Sequence, residues 1–259
     1  PGGRFSKDYG GVREMAQALA VGGRRVVIWD RPNCGASDLA FRGSSESDVQ
    51  ADALAGLLRC LELAPAVIIG GSGGSRVSLL TVAHHPDVAS GLAVWWISGG
   101  PFGLLSLAMH YCGNSISAAW REGMEAVAAL PEWQESLERN PRNRQRLLEQ
   151  DRREFISTLE RWMLAYCPSD DEVVPGLARS EAARITVPTL VFRSGTTDVH
   201  HTRATSEDVA QAIPTAELVD PPWRDNEWNE RGASGESLFI RWPLLVPQLQ
   251  EWAGKALGA

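Results

Sequence analysis

The sequence predicts an α/β fold, with a mostly parallel sheet covered by helices on both faces and interrupted by a helical insertion. Three observations point there. Short apolar runs rich in β-branched residues are continuous rather than alternating, as in strands buried on both faces. Between them lie segments with apolar residues at three- and four-residue spacing, the rhythm of parallel strands joined by helices. From Phe102 to about Ala183 the helical spacing continues without a convincing strand.

In chain order, Val12, Met15, Ala16, Leu19 and Ala20 define an amphipathic helix from Gly11 to Ala20, with Gly22-Gly23 as its stop. Arg25–Trp29 is expected to be a buried strand feeding the turn-forming Asp30–Gly35. Capping residues at Ser45 to Asp48 open a second helix, which Val49, Leu54, Leu58 and Leu61 carry to about Leu63. Ala66–Ile69 is then a strand, Gly73–His84 a helix and Leu92–Ile97 another strand. After the insertion, Thr189–Phe192 and Ala216–Val219 read as strands around a helix from Ser206 to Ile213. A closing helix, Leu238–Leu257, is interrupted by Pro243 and Pro247. Residues 1–100 and 184–259 thus form a core and 101–183 an insertion.

Composition narrows the function. With 25 Lys and Arg against 32 Asp and Glu, a net charge of -7, the chain lacks the positive surface of a nucleic-acid or anionic-membrane binder. No apolar run reaches the roughly 18 residues of a membrane span, and no signal-peptide pattern is read in the opening residues. Cys34, Cys60, Cys112 and Cys167 are too scattered for a disulfide framework or a metal site and read as small buried residues in a reducing, cytoplasmic setting. The basic run from Arg139 to Glu154, interleaved with acids, reads as a solvated helix face with i,i+4 pairs.

The chemistry is concentrated at Gly70-Gly71-Ser72-Gly73-Gly74, where a strand runs into G-x-S-x-G and then a helix. Such a turn strains the serine and lifts its hydroxyl above the carboxyl edge of the sheet. Flanking glycines keep Cβ atoms out of the strand–helix contact. Ser72 is the candidate nucleophile, and the Gly73 N–H, at a helix start, the candidate oxyanion donor. Gly195-Thr196-Thr197-Asp198 follows the strand at Val191-Phe192. Asp198 stands where a carboxylate orients an imidazole, or caps a turn.

On these residues the chain resembles the capped branch of the α/β-hydrolase fold superfamily. The elbow is similar to that of proline iminopeptidases and C–C bond hydrolases, and Asp30-Arg31-Pro32-Asn33-Cys34-Gly35-Ala36-Ser37-Asp38 resembles the D-x-x-G-x-G-x-S-D turn after the family's fourth strand, with Asn33 for its first glycine. The resemblance implies a helical cap after the sixth strand, and a hydrolase acting on an ester, amide or activated C–C bond of a small apolar molecule through Ser72. No metal or cofactor is implied, and no partner beyond that substrate, nucleic acid and membrane being excluded and a homodimer left open. Pro1-Gly2-Gly3 looks like the tail of the family's H-G-G-P-G-G oxyanion loop. That makes Gly3 a second donor candidate and implies that strands of the fold precede Pro1.

One element of the resemblance fails. The family's base is a histidine in the loop after the eighth strand, but the loop here, Asp220 to Arg231, has none, and no histidine follows His201. His84 and His85 lie at the far end of the elbow helix, about 18 Å from Ser72 by helix rise. The base is left open between His200 or His201, beside Asp198, and an acidic residue such as Glu227 or Asp225, whose pKa burial would have to raise. A protein that has lost hydrolysis and binds a ligand, or works as a cofactor-free lyase or cyclase, is the alternative. His110, in the insertion, is a candidate for the pocket. Ten tryptophans suggest an aromatic lining, with Trp96 and Trp223 as candidates. Trp29 and one of the adjacent Trp95 and Trp96 are expected in the core, since neighbours in a strand point to opposite faces.

Overall fold

The computed structural model describes residues 1–21 and 23–258. Its centre is a four-stranded parallel sheet in the order β1, β2, β5, β6, formed by Ala66–Gly71, Ala89–Trp95, Thr189–Phe192 and Ala216–Val219. Two faces need covering, and alternate residues serve each of them. Leu92, Val94 and Val191 pack with α2 (Glu46–Cys60), α3 (Gly73–His84) and α11 (Arg203–Ala212). Ala93, Trp95, Leu190 and Phe192 pack on the other side with α1 (Val12–Ala20) and α13 (Val246–Leu257). Each fully buried large apolar side chain contributes about 1.5–3 kcal/mol, so both faces hold the sheet.

Between β2 and β5 run α4 (Pro101–Ala108), a π-turn over Met109–Gly113, α5 (Asn114–Glu122), α6 (Met124–Ala128), α7 (Pro131–Arg139), α8 (Arg142–Leu148) and α9 (Arg152–Leu164). Trp133, Leu147, Phe155, Leu159 and Trp162 give this segment a buried cluster of its own, which reaches Leu39 and Val49 of the core. The basic residues of 139–146 pair mostly beyond their own helix, Arg139 with Asp8, Arg144 with Glu125 of α6 and Arg146 with Asp38, besides the i,i+4 pair of Arg139 with Glu135.

Several expectations are corrected. Arg25–Trp29 is not a strand: the segment pairs with no ladder among the described residues, and Val27 is exposed. Apolar β-branched residues alone do not make a strand without a partner for the backbone. An antiparallel hairpin, β3 (Glu172–Val174) and β4 (Leu177–Ala178), followed by α10 (Arg179–Ala182), interrupts the helical region, in strands too short to show a period. The helix α12 (Glu227–Ser234) has no apolar stripe to announce it. The closing helix starts only at Val246, with Pro247 in its first turn rather than interrupting it, after a short 3₁₀ turn at Trp242–Leu245. Cys60 and Cys167 are exposed, while Cys34 and Cys112 are buried, and all four are free thiols. Trp29 is only half-buried. The predicted stop of α1 survives at Gly23, with φ +80°, whereas Gly22 lies outside the described residues. No helix among the described residues is long and apolar enough to cross a membrane.

Candidate active site

Register explains why the site assembles. Gly71 pairs with Trp95, and Phe192 with Val219, so the chain leaves β1, β2, β5 and β6 at one carboxyl edge of the sheet. Ser72, Trp96, Asp198 and the 220–231 loop follow those four strands. Crevices at this edge are the usual ligand sites of open α/β sheets.

Ser72 sits between β1 and α3 with φ +56° and ψ −132°, a strained backbone for a residue with a Cβ. Its N–H donates to Trp95 O at 3.1 Å and its carbonyl accepts from Ser75 N at 2.8 Å, which holds the turn at both ends. Gly70 is required by contact: a Cβ there would lie 2.3 Å from Gly74 O and 2.4 Å from Ser78 Oγ.

His201 Nε2 lies 3.0 Å from Ser72 Oγ, and His201 Nδ1 lies 2.9 Å from Asp198 Oδ2. All three side chains are buried. The second carboxylate oxygen, Oδ1, accepts from the backbone N–H groups of His200 and His201, each at 2.9 Å. An ionised carboxylate only accepts, so the proton of the His201–Asp198 bond belongs on Nδ1 and leaves Nε2 free to accept from the serine hydroxyl.

The other candidates fall elsewhere. His200 is half-buried with its ring against Phe102, 5.3 Å between centroids, and burial, with the neighbouring His201, lowers its pKa. Glu227 is buried but ion-paired to Arg231 at 3.1 Å and Arg241 at 2.8 Å. Asp225 pairs with Arg203 at 2.9 Å. His85 bonds Asp52 at 2.8 Å, away from the sheet edge. His110 is exposed in the π-turn, its ring 5.0 Å from that of Tyr111. Its neighbour Tyr111 turns inward instead, because successive helical residues point about 100° apart. The Tyr111 hydroxyl lies 3.3 Å from where a Cβ on Gly73 would stand. Tyr111 carries no sequence signal that separates it from an ordinary core aromatic.

At the N-terminal loop, Gly2 packs on the elbow so closely that a Cβ on it would lie 2.4 Å from Ser72 Oγ and 2.5 Å from Gly73 N. The Arg31 guanidinium donates to the carbonyls of Gly2 and Gly3, at 3.4 and 2.8 Å. In a planar trans peptide the N–H opposes the carbonyl, so the N–H of Gly3 faces away from Arg31. Arg4 in turn is bonded to Glu46 at 2.6 Å and to Tyr111 O at 3.0 Å.

Trp95 and Trp96 are both buried, and both rings meet Trp242, at 4.9 and 5.9 Å. The expectation that they part to opposite faces fails because Trp96, at φ +47°, has left the strand. Trp96 stacks on His201 and lies 5.5 Å from Trp223. A small cavity of about 50 Å³ beyond Asp198 is lined by Trp96, Trp223, Trp228, Asp225 and Glu227 among others. Among the described residues no cluster of metal-binding side chains occurs.

The chain belongs to the alpha/beta hydrolase family, whose sequence pattern matches residues 1–248. Solved structures with the same fold include a hydrolase from Pseudomonas aeruginosa PA01, 22% identical over 98% of this chain and 88% of the other, TM-score 0.54. The enol-lactonase from Burkholderia xenovorans LB400 is 22% identical over 96% and 88%, TM-score 0.54. A thermophilic esterase from Thermogutta terrifontis is 18% identical over 97% and 88%, TM-score 0.54. No curated protein matches the sequence.

Proposed function

We propose that this chain is a serine hydrolase whose acid and base come from one loop: Ser72 is the nucleophile, His201 the base and Asp198 its partner. The carrying observation is the unbroken contact from Ser72 Oγ through His201 to Asp198, at 3.0 and 2.9 Å. His201 Nε2 takes the hydroxyl proton as Oγ attacks the carbonyl carbon. Asp198 holds the imidazole in the required tautomer and balances its charge, and the same proton then goes to the leaving group. Water, deprotonated by His201, releases the acyl group. The N–H groups of Gly73 and Gly3 donate to the oxyanion, with Arg31 bracing the Gly2–Gly3 carbonyls.

The helices of 101–164 act as a cap. The exposed Phe102 beside His200, with Leu105 one turn on, gives the entrance an apolar side. The substrate is therefore a small, largely apolar molecule with an ester, amide or activated C–C bond, and the esterase and lactonase among the structural neighbours favour the ester end of that range. Four free thiols suit a reducing cytoplasm.

A fluorophosphonate probe tests this reading. One adduct on Ser72 in the peptide map is expected, absent in Ser72→Ala. Folded protein with no adduct would overturn the serine mechanism in favour of a binding protein or a lyase.

A further inference from the structure

The loop in which the family resemblance places a histidine carries Trp228 instead, and that ring meets the histidine the chain does use. His201 and Trp228 are 4.4 Å apart between centroids with planes at 82°, while Trp96 lies 5.9 Å away, tilted only 20° from the imidazole plane. We propose that Trp96 and Trp228 are positioning residues, an aromatic clamp that holds the His201 ring for proton transfer. This rests on the serine-hydrolase reading.

His201 stands three residues from Asp198 on a loop rather than on a helix or strand. The ring makes two side-chain hydrogen bonds, Nδ1 to Asp198 Oδ2 and Nε2 with Ser72 Oγ; once Oγ moves to attack, the second is given up and only the Asp198 bond opposes rotation about the Cβ–Cγ axis. Trp96, nearly parallel, blocks rotation out of the plane, and Trp228, perpendicular, blocks rocking within it. Both walls are themselves held. Trp96 is buried in a left-handed backbone conformation, φ +47°, rare for a bulky residue, which turns it onto the carboxyl edge against Trp223 and Trp242. Trp228 opens α12, whose first residue, Glu227, is buried and paired with Arg231 and Arg241. When the imidazole takes the serine proton it becomes a cation within about 6 Å of an indole face, an attractive arrangement.

The test follows fluorophosphonate labelling of the whole chain, resolving the maximal rate kinact from the binding constant KI. In that reaction Oγ bonds phosphorus, fluoride leaves and the proton passes to His201. Trp228→Leu is expected to lower kinact about tenfold, about 1.4 kcal/mol in the barrier, with KI within about twofold of the parent. Trp228→Phe restores most of the rate, because it returns an aromatic wall. A folded Trp228→Leu with parental kinact, or a Phe variant no faster than Leu, overturns the clamp while labelling of the parent leaves the hydrolase reading standing. If Trp228→Leu does not fold, Trp228→Met replaces it, filling the volume without a ring; equal rates for Met and Phe then overturn the proposal. A parent chain that takes no label removes both readings.

Discussion

His201 and Asp198 share one turn of loop, and that spacing has consequences for each neighbour. The Asp198 carboxylate accepts from three donors, two of them backbone N–H groups, so its position depends on the loop conformation as much as on the histidine. We expect His201→Gln to cut hydrolysis or labelling about a thousandfold or more, the scale of losing a triad member. His200→Gln leaves its backbone bond to Asp198 intact and is expected to stay within about threefold. Parallel kinetics on the two variants check the assignment. Equal losses would mean that the adjacent histidines exchange roles. At this scale the proposed nucleophile and acid were readable from local motifs, G-x-S-x-G and G-x-x-D after a strand. The proposed base was readable only as one of several candidates, because nothing local distinguishes His201, which points at Ser72, from His200, which packs on Phe102.

Among the elements, the elbow shows how strand and helix packing bears on Ser72. Gly70→Ala puts a methyl group into the backbone of Gly74, so β1 and α3 must separate. A loss of about 1–3 kcal/mol is expected, with slower Ser72 labelling. In contrast, Gly56 lies exposed inside α2, with nothing within 4 Å of an added Cβ. Gly56→Ala is expected to raise stability by roughly 0.4–1 kcal/mol. Thermal melts of the pair read opposite signs from the same chemical change. Most core strands and helices announced themselves by period and caps, as Ser45 did by accepting the Asp48 N–H at 3.1 Å. The exceptions are instructive. Residues 25–29 have the composition of a strand and no ladder, while α12 is a helix with no stripe, pinned by the pairing of Glu227 with Arg231 and Arg241.

For the whole molecule, Asp8 ties the N-terminal segment to the inserted helices, through Arg13 and Lys7 on one side and Arg139 of α7 on the other. These partners, Arg13 foremost, outweigh the cost of desolvation and hold its carboxyl well below the usual carboxylate range. A depressed folded-state pKa contributes stability that is present above the unfolded value, about 3.9, and lost as pH falls toward the folded one. Asp8→Asn is therefore expected to lower Tm at pH 7, with the difference from the parent shrinking as pH falls below about 4 and closing only as the much lower folded-state value is approached. The exposed partners keep the effect modest, under about 1 kcal/mol per pair. A Tm difference that persists unchanged into acid would show that the residue acts by something other than charge.

The sequence alone determined the layered α/β plan, the Ser72 elbow, Asp198 and the absence of a histidine where the resemblance requires one, because period, turn chemistry and motif spacing are properties of neighbouring residues. Tertiary structure decided what those residues meet. It brought His201 to Ser72 across 129 positions, turned Trp96 out of its strand and set Trp228 beside the imidazole. Such contacts depend on where four strands end along one sheet edge, a geometry that exists only once the ladders have formed.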